Sequence, residues 1–599
     1  MLELVRATIV MALLILPAAK GQVQNFDVVI IGGGISGLTA AYTLKKANPG
    51  ISLVVLEARD RIGGRAWSVD MRTSTNGGTD RFDLGGQWIG ASQTSIVNLL
   101  AELGIDTYAQ RVDGSRVDHM ISNASPEFYT SNGTDFSEEE LTGFSRIESM
   151  LLDDPLNGTY DDRRNVYWNR TNVADALLLM RIPEQAAEAV KSLIRFTFDT
   201  TPENMSMLHF LMFLRSAGNR LDTIIAESGD SSRSSRISGG AQSLVDRLAQ
   251  NVDIRLNQQV CRVVIQGNSV TVGTYQGNAY TTSFVIMAVP PVLASEINFS
   301  PPLSFEKRNL LVNFAPKSTG IKFVATYPSA FWRDQNLSGN VMVIDTTMNA
   351  PISSLVTSDA TTALNAAALE GIVESRRDLD NATRRSAVLD ALALLIGSNA
   401  TTPIDYREMT WANELMSRGC MASLAPSQVP SNYADLIRAP TSQRIMWAGT
   451  ETSTEWMGFM TGAVQAGQRA ANEVVMQSSQ IIRNDNVISN NQNIPTTTPG
   501  LYWTTQTISY NNGLNGNGQT TGIGNVNSGN PFPTPLQNFP PMTDQNLASS
   551  TTGPSGGQGF LSSVLDFFAG LLKAVTDQLE TPTNQPTTGG LNGASKRYR

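Results

Sequence analysis

Residues 26–37 read Phe26-Asp27-Val28-Val29-Ile30-Ile31-Gly32-Gly33-Gly34-Ile35-Ser36-Gly37, and good helix formers follow from Leu38 to Lys46. The β-branched apolar run predicts a strand, the glycines a tight turn, and the following stretch a helix. In such a turn Gly32 allows the bend, Gly34 lets the backbone approach a pyrophosphate, and Gly37 lets the helix pack closely on the strand. The helix N-terminus then offers its N–H groups to phosphate oxygens. A second predicted strand, Ile51 to Leu56, ends in Glu57, 20 residues after Gly37, where an acid can accept hydrogen bonds from an adenosine ribose. A lone GxGxxG says little. With strand, helix, strand and acid in place, it predicts a dinucleotide site in a Rossmann-type unit.

Composition narrows what else the chain can be. It has 599 residues, 44 Lys+Arg against 53 Asp+Glu, a formal charge of −9, two His, two Cys and 41% hydrophobic residues. Length predicts more than one domain, and the acidic balance gives no support for binding nucleic acid. His119 and His209 cannot build a multi-His metal site, and two Cys cannot replace them, so no metal site is expected.

Both ends differ from the body. A positive charge at Arg6, an apolar run from Ala7 to Leu16 and Ala19-Lys20-Gly21 predict a signal peptide over 1–21. Ten helical residues span about 15 Å, half of a ~30 Å bilayer core, which argues against an anchor. Nine Asn-x-Ser/Thr sequons, at Asn123, Asn132, Asn157, Asn169, Asn204, Asn298, Asn336, Asn381 and Asn399, add to the expectation of a secreted glycoprotein. From 479 to 599 a tail rich in Asn, Gly, Thr and Pro has little apolar material, and disorder is expected there. Within it, residues 560–580 carry apolar positions at helical spacing. Such a helix would suit a membrane surface or a partner, or would dock back on the body.

Beyond the glycine turn come Glu57-Ala58-Arg59-Asp60-Arg61-Ile62-Gly63-Gly64-Arg65 and Asp83-Leu84-Gly85-Gly86-Gln87-Trp88. Further motifs are Ile237 to Leu244, Ala288-Val289-Pro290-Pro291, Phe331-Trp332-Arg333, Trp411 to Cys420, Ala448-Gly449-Thr450-Glu451-Thr452 and Trp456 to Val464. In this order, over about residues 25–476, the chain resembles the flavin-dependent amine oxidases, the family of monoamine oxidase and putrescine oxidase. The resemblance implies an α/β fold of two domains. Its FAD domain, Rossmann-type, would come from 22–105, 236–310 and 413–478, and a mixed-sheet and helical substrate domain from 106–235 and 311–412. It implies FAD held by Gly32, Gly34, Ser36, Gly37, Glu57, Ala58, Arg59, Arg65, Gly86, Gln87, Trp88, Val260, Trp411, Cys420, Gly449, Thr450 and Glu451. Taken alone, Arg59 and Arg65 read equally as surface charges.

The resemblance also implies a reaction: an amine and O₂ give an imine, hydrolysed to an aldehyde, with release of H₂O₂. Cys420 falls where monoamine oxidases attach the flavin through a thioether; a disulfide with Cys261 and a merely buried thiol are the competing readings. Arg418 and Met421 depart from the family, which usually has Gly and, in monoamine oxidases, Tyr. Of the two aromatic rings that sandwich the amine, the matching positions here are Met421 and Phe459, so one ring remains and shifted or weaker activity is expected. Lys322, in a predicted strand from Ile321 to Tyr327, matches the family Lys that holds a water beside the flavin. Ile372, Phe459 and Leu211 to Ser216 are expected to line the substrate cavity.

Two other readings stay open at this point. A secreted L-amino acid oxidase needs an Arg for the substrate carboxylate, and Gln87-Trp88-Ile89-Gly90 offers none after the glycines. A non-catalytic, FAD-containing extracellular protein is the third, suggested by the tail and the altered cage.

Overall fold

The computed structural model describes residues 24–492, except 75, 122–126, 132–136, 153–162, 227–228, 318–319, 346, 348–349, 376–378 and 431–432. The leader, the tail beyond 492 with the helix expected over 560–580, and the sequons at Asn123, Asn132 and Asn157 lie outside the described residues.

The apolar run at 26–31 forms most of the strand Gln24–Ile31, which pairs in parallel with Leu53–Leu56 on one side and Ala279–Met287 on the other. Asp253–Arg255 and Ile445–Trp447 extend the parallel part, while Ser269–Thr274, Val260–Gln266 and Asn298–Ser300 complete an eight-stranded sheet. Val28, Ile30 and Val55 point into one apolar cluster, and Val29, Ile31, Val54 and Leu56 into another. A strand buried on both faces has no polar alternation, which is why the sequence there is continuously apolar.

The helix Ile35–Ala47 covers one face, with the long helix Met460–Gln492 against it. Their approach is close: a Cβ on Gly467 would overlap the Ser36 carbonyl oxygen and sit 3.0 Å from Thr39 Cβ. This last helix runs on to Gln492, past residue 479 where a disordered tail was expected to begin. The sequence there keeps helical apolar spacing, with Ile481 and Ile482 seven residues after Val474 and Val475 and Ile488 seven after Ile481.

A second, mixed sheet of seven strands takes the order Asp405–Met409, Gly320–Thr326, Ala368–Ser375, Ile352–Asp359, Leu337–Asp345, Ser115–Ile121 and Glu127–Ser131. It is antiparallel apart from the pairing of Leu337–Asp345 with Ser115–Ile121. Helix Asn381–Ile396 packs on one face through Val388, Leu392 and Ile396. On the other face of Gly320–Thr326, Val324 packs with Leu84 and with Met71 and Phe82 of the hairpin formed by Ser68–Arg72 and Thr79–Asp83, and Lys322 reaches Gly85 just beyond it.

Candidate active site

One elongated cavity runs from the glycine turn to the second sheet. At its first end Gly32 has φ +107°, a conformation that favours glycine, and a Cβ on Gly37 would overlap the Gly32 carbonyl oxygen. Gly34 is the N-cap of Ile35–Ala47 with no side chain capping the helix, so the N–H groups of its first turn face the cavity wall. Around Gly34 there is space: a Cβ there would meet only Gly63 O, at 3.9 Å.

Glu57 follows the second strand, 3% exposed, and its carboxylate is aimed by two backbone donors, Gly33 N–H at 2.7 Å and Arg59 N–H at 2.9 Å. Ser36 Oγ accepts the N–H of Gly449 at 2.8 Å, which joins the first turn to a segment 413 residues away. Arg65 lies between Glu451, 2.7 Å from Nη1, and the Cys420 carbonyl oxygen, 2.6 Å away. Arg59 reaches Glu414 and Ser417, so both arginines are tied into the wall rather than free on the surface.

Toward the far end the walls become apolar and aromatic: Phe196, Ile224, Ile372, Met421 and Phe459 line the cavity. Phe459 is stacked on Phe213 (5.9 Å, 14°) and edge-on to Trp456 (5.2 Å, 87°), which fixes its plane. Met421 packs over Gly458, where a Cβ would overlap its Sδ and Cε. Cys420 also lines the cavity. No disulfide joins it to Cys261, so the disulfide reading is not met; Cys261 Sγ instead faces Gly273 O at 3.5 Å. Burial, with Asp199 adding to it, pushes the Cys420 thiol up to about 11 against the opposing pull of Arg65 and Lys322. Arg418 adopts φ +59°, a left-handed conformation that suits glycine, the residue usual in the family.

Lys322 lines the cavity from the strand Gly320–Thr326. Its ammonium donates to Gly85 O at 2.9 Å and to Gln87 Oε1, with Glu370 Oε2 3.4 Å away. Glu370 Oε1 accepts from Gln87 Nε2, Arg236 and Ser358 Oγ. Burial pushes the Glu370 carboxyl up, but Arg236 and Lys322 outweigh it and hold it below the usual range. Trp88 packs against Phe196 (5.4 Å), with the Arg233 guanidinium 5.6 Å from its ring.

The model of the flavin containing amine oxidoreductases matches residues 35–475. The chain belongs to this family. Flavin-containing amine oxidase A of Bos taurus is 30% identical over 464 residues, 76% of this chain and 85% of the relative. A putrescine oxidase structure bound to putrescine superposes with a TM-score of 0.66 at 26% identity, covering 76% of this chain and 100% of that one. Cyclohexylamine oxidase from Brevibacterium oxydans gives 0.66 at 25%, covering 76% and 99%. Membership implies FAD, and the residues fit it: an uncapped helix start suits the phosphates, open space at Gly34 a close approach, and oriented Glu57 oxygens a ribose.

Of the residues singled out in this amine oxidoreductase from sequence, Gly37 and Glu451 do not line the cavity; Gly37 packs the turn from behind and Glu451 sits behind Arg65. The other named positions, Gly32, Gly34, Ser36, Glu57, Ala58, Arg59, Arg65, Gly86, Gln87, Trp88, Val260, Lys322, Ile372, Trp411, Cys420, Met421, Gly449, Thr450 and Phe459, do line it. Leu211 to Ser216 need correction. That stretch ends the helix Met207–Ser216, whose Leu211, Phe213 and Leu214 are fully buried, so it backs the wall through Phe213 without lining it. Sequence reading also missed Phe196, Asp199, Arg233 and Glu370, all of which line the cavity. Glu370 carried a signal, an acid inside the apolar strand Ala368–Ser375; Arg233 carried none, and it gives the cavity an arginine absent beside Gly85-Gly86.

Proposed function

We propose that this chain oxidises a primary or secondary amine with O₂, giving an imine that water hydrolyses to an aldehyde, and H₂O₂. What supports the reading most is one cavity whose lining holds both a dinucleotide-binding turn and the trio Lys322, Phe459 and Met421. Bound FAD supplies the hydride acceptor and passes the electrons on to O₂.

The protein's part is to present the amine uncharged and oriented. An alkylamine with a pKa near ~10 costs about 4 kcal/mol to deprotonate at pH 7, and desolvation of the ammonium between Phe196, Ile224, Ile372 and Phe459 reduces that cost. Phe459, locked by Phe213 and Trp456, supplies one rigid face for the substrate, and Met421 a softer one that tolerates other shapes. Lys322, with two donors engaged by Gly85 and Gln87, keeps a third with which to hold a water. We further propose a thioether to Cys420, which lines the cavity.

Arg233 favours a second reading, an amino acid oxidase in which the guanidinium beside Trp88 binds a substrate carboxylate. A peroxidase-coupled H₂O₂ assay over monoamines, diamines and L-amino acids separates the readings: peroxide with amines supports the first, peroxide with amino acids alone the second. No peroxide with any of them, from protein loaded with FAD, would leave a non-catalytic flavoprotein.

Secretion is part of the same proposal, resting on the leader and the sequons. Asn204, Asn298, Asn336, Asn381 and Asn399 are exposed, whereas the Asn169 amide is bonded on both sides to Val429. Glycopeptide mapping of the secreted protein should find glycans at the exposed group and none at Asn169.

A further inference from the structure

The charged wall behind Lys322 contains more than an ammonium needs in order to hold a water. Glu370 is 2% exposed, and an unpaired carboxylate at that depth would be strongly disfavoured, so its partners define its role. Oε1 is saturated by Gln87, Arg236 and Ser358, while Oε2 faces Lys322 at 3.4 Å, too far to take a donor with good geometry yet close enough to act as its counter-charge. Gln87 bridges the pair: its Oε1 accepts from Lys322 and its Nε2 donates to Glu370. Turning that amide over would set its NH₂ against the ammonium and its oxygen against the carboxylate, so the two charges fix which way it points. Arg236 in turn is held by Gln110 Oε1 at 2.6 Å, directly after the strand Thr107–Ala109 and outside the sheet that carries Lys322. The acid therefore has one anchor on the fold and one on the lysine.

We propose that Glu370 is the positioning residue of Lys322: through Gln87 and its own charge it fixes the ammonium at one place in the cavity wall. It does not touch the reacting atoms. This rests on the amine-oxidation reading of the cavity, but the position of a lysine can be measured apart from turnover.

The test uses the full-length flavin-loaded protein and reductive methylation with formaldehyde, read by peptide mass spectrometry. Lys322 in the wild type should label slowly, and Glu370→Gln should speed its labelling at least tenfold. Lys307, buried elsewhere and bonded to Ile437 O at 2.9 Å, is the internal control and should not change. Unchanged Lys322 labelling overturns the proposal, and so does a parallel rise at Lys307, which would mean general loosening. Gln87→Met, which cuts the bridge and keeps the acid, should speed Lys322 labelling at least threefold; it decides alone if the Glu370→Gln protein does not accumulate. A second readout is the rate constant for reoxidation by O₂ after reduction with an active amine. Glu370→Gln should slow it at least tenfold in the wild-type background and less than twofold in Lys322→Met, whereas equal losses in both overturn action through the lysine. Absence of amine oxidation would refute the proposed function, while the labelling rates would still show whether Glu370 holds the lysine in place.

Discussion

Alanine at Gly34 and alanine at Gly37 should separate the two jobs of the glycine turn. Gly34 has φ −80°, an ordinary conformation, and an added Cβ would meet only Gly63 O at 3.9 Å. The protein without cofactor should therefore tolerate Gly34→Ala, or gain about 0.4–1 kcal/mol because the unfolded chain loses freedom. The new methyl stands in the space toward which the helix start points, so a bound pyrophosphate must shift or the wall must give. At the usual overpacking cost of about 1–3 kcal/mol, FAD affinity should fall by about 5–150-fold. Gly37→Ala is the opposite case, since its Cβ would overlap the Gly32 carbonyl oxygen and crowd Ala288 Cβ at 3.3 Å. That cost falls on the fold itself, so the thermal midpoint of the cofactor-free protein should drop as well. Both are best measured in a Cys420→Ser background, where uptake stays reversible, by FAD fluorescence titration and thermal melts of the cofactor-free protein. Wild-type FAD affinity in the Gly34 variant, or an unshifted midpoint in the Gly37 variant, would refute the reasoning.

Acid precipitation of the wild type should leave the yellow chromophore with the protein, and Cys420→Ser should release it; free FAD from the wild type ends the thioether proposal. Met421→Tyr should raise turnover of benzylamine-like substrates by up to about tenfold, since a second ring contributes roughly 0.5–1.5 kcal/mol, and steady-state rates that do not change would show that the pocket orients its amine otherwise. His209 is fully buried, neither ring nitrogen has a hydrogen-bond partner among the described residues, and burial lowers its pKa from 6.5 to about 3. Below pH 6.5 the unfolded chain takes up a proton that the folded protein refuses until about pH 3, so this contribution to stability is complete above 6.5 and is lost as pH falls through that window. The slope is at most about 1.4 kcal/mol per pH unit, and His209→Phe should flatten it; identical melting profiles against pH for the two proteins would contradict the assignment.

Much of the nucleotide end was legible because its determinants are local. A strand buried on both faces has to be apolar throughout, the bend at Gly32 needs a positive φ, and Glu57 follows directly from the strand that carries it. The substrate end was legible only where a family motif reached it, as at Lys322, Met421 and Phe459. Leu211 to Ser216 misled because helical apolar residues look alike whether they face a cavity or sit one layer behind it.

What the amino-acid order determined by itself was thus the β-turn-α-β unit and the residue types able to hold a dinucleotide, since these depend on backbone sterics and short-range hydrogen bonds. Tertiary structure alone decided that Ser36 meets Gly449, that Arg233 enters the wall, and that Lys322, Gln87, Glu370 and Arg236 form one network. A buried charge requires partners, and which partners it finds is settled by how distant strands pack, over 283 residues between Gln87 and Glu370, rather than by any spacing along the chain.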